Sequence, residues 1–181
     1  MKLIIIRHTE VPSNVNYIVS GRSNESLTPR GIKQAEVIRD ELQKYDYDMI
    51  FSSPVNRAVE TANIINYKGL PVIQDERIIE RNPGTLVGKD RSLVNKDEWN
   101  SMDTPVTKDG AETLLAIINR VNDFIKYLKA NYNDKTIVIV THNSISRAFW
   151  MLKDSRPKTK EEINSYYHQQ SKIDIYDDIE Q

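Results

Sequence analysis

The chain has 181 residues, 39% of them hydrophobic and 28% charged, with a net charge of −1, which suits one domain with a substantial core. The near-neutral balance argues against a nucleic-acid partner but not against a small anionic substrate, because a pocket can be locally positive in a neutral protein. The lack of cysteine excludes disulfides, thiol nucleophiles and thiolate metal sites, and points to a cytoplasmic compartment.

The first predicted element is a strand over residues 2–6, whose unbroken apolar run stops at Arg7-His8. It is too short for a signal-peptide core or a membrane span, so no membrane partner is expected. Such a run fits a strand buried on both faces, as in a parallel sheet. Thr28-Pro29 then gives a helix start, a Thr cap followed by Pro at the first helical position, and Ile32, Ala35, Ile38 and Leu42 form its apolar stripe. A second strand is predicted over 48–52, ending at Ser53-Pro54, and a helix over 55–67 with Val59, Ala62 and Ile65 on one side. Residues 71–74 form a weaker third strand.

The stretch 82–110 has little periodicity and much polarity. It reads as a long excursion with a short helix around 93–99, and long loops in compact domains are often lids or binding segments. At its start and within it are Arg81, Lys89, Arg91 and Lys96, balanced by Asp90, Asp97, Glu98 and Asp103. Each of these charges, taken singly, reads as solvated. The longest helix follows over 111–132, then a strong fourth strand over 136–141, a helix over 145–152 and an edge strand over 173–176. His168 falls in a polar segment and reads as a surface residue. With no internal repeat and no linker, the chain reads as one α/β domain over 1–181, a three-layer α/β/α sandwich with a mainly parallel central sheet.

In such sheets ligands bind beyond the carboxyl ends of the strands. The first strand ends in Arg7-His8, the second in SSPVNRA with Arg57, and the fourth in Thr141-His142-Asn143. Alone, each has an ordinary structural reading. Together, two arginines, two histidines and two helix starts at one sheet edge suggest phosphate, whose oxygens match the guanidinium fork. A neutral histidine beside a phosphoryl group can attack phosphorus, which splits one hard displacement into two easier ones.

These residues resemble the motifs of the histidine phosphatase superfamily, which includes the cofactor-dependent phosphoglycerate mutases. RHTEVPSN (7–14) is similar to R-H-G-E/Q-T-x-x-N, Gly21-Arg22 and LTPRGIKQA (27–35) follow, and SSPVNRAVETA (52–62), IIERNPGTLVG (78–88) and VTHNSISRA (140–148) complete the order. The resemblance implies a phosphoglycerate mutase-like fold, with 82–110 as a lid over the site. It also implies His8 as nucleophile, Arg7, Arg57 and His142 around the phosphoryl oxygens, and Asn14 as a further donor. Glu80 is implied as the proton donor to the leaving group; the residues alone do not single it out. Gly21, Arg22 and Asn143 are expected at the substrate-binding edge. Thr9, where the family has glycine, is expected to add bulk beside the nucleophile.

The expected activity is hydrolysis of a small phosphorylated substrate by a monomer or homodimer, without metal or cofactor. Two alternatives are phosphoglycerate mutase-type transfer and a non-catalytic phosphate-binding module. A metal hydrolase is a third, disfavoured by the flanking arginines, which would repel a cation.

Overall fold

The computed structural model describes residues 1–102, 107, 109–177 and 179; Asp103 lies outside them. Alternation along β1 (Lys2–Arg7) explains the layering. Leu3 and Ile5 enter one buried cluster with residues of α5 (Leu114–Tyr132) and α6 (Asn143–Leu152). Ile4 and Ile6 enter another with residues of α2 (Pro29–Leu42) and α3 (Asn56–Ile65). Successive strand side chains point to opposite faces, so a strand that is apolar at every position must be covered on both. In β4 (Thr136–Thr141) the same split recurs: Ile137 and Ile139 on one side, Val138 and Val140 on the other. The architecture is the three-layer α/β/α sandwich that the sequence predicts.

With β2 (Met49–Ser52), β3 (Val72–Gln74) and β5 (Ile173–Asp177), the sheet order is β3-β2-β4-β1-β5. The first four strands run parallel, and β5 lies antiparallel at the edge beside β1. Register decides where the site forms. Arg7 pairs with Thr141, and Ser52 with Val140, so three strands end side by side at one edge.

Several element ends differ from expectation. α3 stops at Ile65 because the Asn66 side chain turns to the following loop, accepting from the Leu70 N–H at 3.1 Å and donating to its carbonyl at 2.6 Å. α5 begins at Leu114, after Thr113. The helix expected around 93–99 is two pieces, a 3-10 turn over Arg91–Leu93 and α4 (Lys96–Trp99), whose first turn is capped by Asn95. Two short helices were not expected: α1 (Pro12–Val15), and α7 (Lys160–Ser165), which starts in a Thr159–Glu162 capping box.

The Thr28 signal holds as expected. Its hydroxyl oxygen accepts from the Gly31 N–H at 3.0 Å, a cap worth about 1 kcal/mol, and donates to Glu10 Oε1 at 2.8 Å. α2 is pressed so closely on the loop after β1 that a Cβ on Gly31 would lie 2.2 Å from the Glu10 carbonyl oxygen. Among the described residues no helix is long and apolar enough to cross a membrane.

Candidate active site

His8 is the first residue beyond β1, and its N–H donates to the Thr141 carbonyl at 2.8 Å. The side chain is buried, with Nδ1 2.8 Å from the Thr9 carbonyl oxygen. A carbonyl can only accept, so Nδ1 carries the proton and Nε2 keeps its lone pair. That lone pair accepts from Arg57 Nε at 3.2 Å. Burial first, then the charges of Arg57 and Arg7, hold His8 well below the ordinary histidine value, which favours the neutral, nucleophilic ring.

Arg57 projects from the first turn of α3 and is fully buried. Its Nη2 donates to the Gly21 carbonyl at 2.6 Å and its Nη1 to the Ser23 carbonyl at 3.2 Å. Gly21 presents that carbonyl from a left-handed turn (φ +52°), where a Cβ would also meet the Pro83 side chain at 2.5 Å. Glycine is required there on both counts.

His142 stands at the start of α6, its ring centre 5.1 Å from that of His8. Nδ1 lies 3.3 Å from Arg57 Nη2, which can only donate, so Nε2 is the protonated nitrogen and bonds Ser53 Oγ at 2.7 Å. Its affinity for a second proton is also lowered well below normal, by burial and then by Arg57. Glu80 closes the group, with Oε2 3.7 Å from His142 Nδ1 and 3.9 Å from Arg57 Nη2. Its other oxygen accepts from the Arg81 N–H at 2.8 Å, and Arg22 Nε donates to its carbonyl at 2.9 Å. Arg7, at the end of β1, donates from Nη1 to the His168 carbonyl at 2.9 Å and lies over the Tyr167 ring.

The structure therefore brings Arg7, His8, Arg57, Glu80 and His142 together. The other expected residues fare differently. Gly21 and Asn143 line the adjoining cavity, and Asn143 Oδ1 accepts from the His168 N–H at 2.8 Å. Asn14 is drawn into the fold: its Oδ1 accepts from the Val11 N–H and from Gln170 Nε2 at 2.6 Å. Arg22 does not line that cavity; it braces Glu80 from outside. Thr9 does not crowd the nucleophile. It is buried towards α3, where its hydroxyl meets that of Thr61 at 3.3 Å.

His168 is a correction, because it is 2% exposed rather than on the surface. Residues 166–170 run as a strap along the site, tied by main-chain bonds to Arg7, Asn143 and Arg147. Local polarity in sequence does not reveal such a crossing.

Beside this group opens a cavity of about 250 Å³. Its wall holds Arg7, Arg81, Arg91, Lys96 and Arg147, and among the described residues Glu80 is the one carboxylate on it. Arg81 and Arg91 read from sequence as solvated loop charges, and Arg147 carried no assignment. Arg81 is in fact 1% exposed, and Arg147 is buried on the inner face of α6. The available signals were adjacency to Glu80 for the first and a position five residues after His142 for the second.

Residues 3–179 match the family model described as histidine phosphatase superfamily (branch 1). Phosphoserine phosphatase 1 of Hydrogenobacter thermophilus is 33% identical over 157 residues, covering 83% of this chain and 74% of that one. A 2,3-bisphosphoglycerate-dependent phosphoglycerate mutase of Cytophaga hutchinsonii is 31% identical over 161 residues, covering 82% and 75%. The crystal structure of the alpha-ribazole phosphatase from Shigella flexneri superposes with a TM-score of 0.81 at 26% identity, over 97% of this chain and 89% of that one.

Proposed function

The chain belongs to the histidine phosphatase superfamily, and from that membership we propose that it is a metal-independent phosphomonoester hydrolase working through a phosphohistidine on His8. The observation that carries this reading is the fixed ring of His8, with its proton on Nδ1 and its lone pair on Nε2.

In the first step Nε2 attacks phosphorus as the P–O ester bond breaks, and Glu80, in its acid form, gives its proton to the departing alkoxide. In the second a water attacks the phosphohistidine, Glu80 takes a proton from that water, the P–N bond breaks and inorganic phosphate leaves. Charge in such transfers spreads over the equatorial oxygens, so positioning and cationic groups supply most of the acceleration. Arg7, Arg57 and His142 fill that role. Arg57 yields the Nε2 lone pair to phosphorus and keeps its Gly21 and Ser23 bonds, which hold the guanidinium in place.

Of the segment 82–110, the residues Pro83, Arg91, Val94, Lys96, Trp99 and Asn100 line the cavity and act in this reading as the cover of the site. Of the chain between Glu80 and His142, 19 residues belong to α5, which leaves little else to exclude water. That favours hydrolysis over mutase-type transfer, the reading that the Cytophaga hutchinsonii relative supports.

The test is phosphate release from a panel of phosphomonoesters with chelator present, comparing wild type with His8→Ala. The expected result is chelator-resistant release that falls about 10⁴-fold or more in the variant. Release that needs a metal, or that survives His8→Ala, overturns the mechanism. Transfer to 3-phosphoglycerate in preference to water moves the assignment to a mutase.

A further inference from the structure

Of the three histidines, His168 is the one that the proposed reaction does not use. Its side chain is 1% exposed, although Tyr167 and Gln169 on either side are exposed. Burying an imidazole in a polar turn gives up hydration that a surface histidine keeps, so the ring needs a compensating contact. Nε2 lies 3.2 Å from the Lys172 carbonyl oxygen, which can only accept, so Nε2 carries the proton. Burial, opposed by the charge of Asp174, holds His168 below the ordinary histidine value, so the ring is largely neutral at pH 7 and Nδ1 keeps its lone pair. Nδ1 has no hydrogen-bond partner among the described residues, and Asp174 Oδ2 stands 3.8 Å away. The ring therefore makes one hydrogen bond, to Lys172.

That bond closes a short loop. Lys172 immediately precedes β5, and Ile173 is registered opposite Ile6, the residue before Arg7. The Lys172 carbonyl is therefore placed by the sheet edge, and the His168 ring hangs the strap from it. The Lys172 N–H tightens the same turn by donating to the Gln169 carbonyl at 3.3 Å. The main chain of His168 meets the site. Its carbonyl accepts from Arg7 Nη1 at 2.9 Å, and its N–H donates to Asn143 Oδ1 at 2.8 Å. The Tyr167 ring lies against the Arg7 guanidinium, 4.8 Å from its carbon to the ring centre. Among the described residues Arg7 pairs with no carboxylate, so its orientation rests on these two strap contacts.

We propose that His168 is a positioning residue for phosphate binding: its ring holds the strap so that its own carbonyl and the Tyr167 ring set the Arg7 fork. The proposal rests on the phosphatase reading for what Arg7 binds. A guanidinium matches phosphate oxygens with its N–H groups only in a defined plane, so a displaced carbonyl or ring beside Arg7 lowers affinity without removing a charge. The influence runs from Nε2 through the turn to a main-chain oxygen. Side chains at 168 are thus sorted by whether they reach the Lys172 carbonyl with a donor. Glutamine offers an N–H of similar reach to Nε2. Phenylalanine keeps the volume of the ring and has no donor.

The experiment measures equilibrium binding of inorganic phosphate by calorimetry to wild type, His168→Phe, His168→Gln, Arg7→Ala and the double variant of Arg7→Ala with His168→Phe. Arg7→Ala is expected to weaken phosphate about 10- to 100-fold, the factor for one or two charge-assisted bonds. His168→Phe is expected to weaken it about tenfold, and His168→Gln to recover most of that loss. With Arg7→Ala already in place, His168→Phe is expected to change affinity by less than about twofold, because its effect passes through Arg7. A general fold defect would weaken phosphate equally with and without Arg7. If His168→Phe does not fold, His168→Asn, whose amide sits near the Nδ1 position and short of Lys172, takes its place with the same expected losses. Phosphate binding needs no turnover, so failure of His8-dependent release from p-nitrophenyl phosphate defeats the phosphatase reading and leaves this cycle readable. Equal losses in the presence and absence of Arg7, undiminished affinity in His168→Phe, or a wild type that takes no phosphate overturn the positioning role.

Discussion

The base of the site and its rim are made from different kinds of chain. His8, Ser53 and His142 follow the ends of three parallel strands, Arg57 rises from α3, and their side chains bond one another directly. The rim comes from short turns in 82–102 and from the strap 166–170, tied largely by arginines reaching main-chain carbonyls: Arg91 to Ile18, Arg81 to Trp99 and Arg147 to Tyr166. A base fixed by sheet register can hold reacting atoms to fractions of an ångström, whereas loop segments can change without disturbing the core. In the proposed mechanism, reaction type belongs to the base and substrate choice to the rim.

That division can be broken or sharpened by experiment. Glu80→Gln carries the largest expected effect in this set. It should cut hydrolysis of an alkyl phosphate by about 10²–10⁴-fold, the usual worth of a general acid. With p-nitrophenyl phosphate, whose leaving group departs without a proton, the loss in the first step should be much smaller. Equal losses in single-turnover measurements on both esters would remove Glu80 from the acid role.

Trp99→Ala comes next. It removes the ring under Arg81, and should raise KM about tenfold with kcat little changed, since rim contacts serve binding. A fall in kcat alone would erase the boundary between rim and base.

Thr9→Ala tests the base from behind. The lost hydroxyl contact with buried Thr61 should cost about 1–2 kcal/mol in denaturant unfolding, with the order of substrate preference unchanged. A changed preference would put Thr9 back beside the substrate.

The smallest expected effect is an absence of change. The lowered proton affinity of His8 favours the neutral ring, so its NMR signals in phosphate-free buffer should stay flat as pH falls through 6.5. By the same sign, each histidine that is harder to protonate when folded costs stability as pH drops below 6.5, where the unfolded chain takes up the proton. A titration midpoint at 6.5 for His8 would show that its ring is not held as described.

What was legible in the sequence follows the same boundary. β1, β2 and β4 announce themselves as apolar runs, and the rule that ligands sit beyond strand ends brings Arg7, His8, Arg57 and His142 together without any relative. Glu80 emerged only through the family motif, because it lies in irregular chain after a 3-10 turn, where no periodicity marks a position. Arg81 and Arg91 looked like solvated charges for the same reason. Arg147 was hidden differently: it is buried on α6 beside the cluster residues Ile145, Ala148 and Phe149, and nothing local says that its side of the helix abuts a cavity. His168 and Asn14 depended on the strap, a contact across most of the chain that binary patterning does not encode.

The strap also has a consequence for assembly. Residues 166–177 supply main-chain partners to Arg7, Asn143 and Arg147, and then the strand that covers the outer edge of β1. The side chains of the base all precede this segment in the chain. Until it docks, the base and the four parallel strands are in place, but β1 has an open edge and the cationic wall has no backing. Docking of the edge strand therefore completes the rim, and chains cut before residue 166 are expected to keep the base's residues while losing the strap's bonds to Arg7, Asn143 and Arg147.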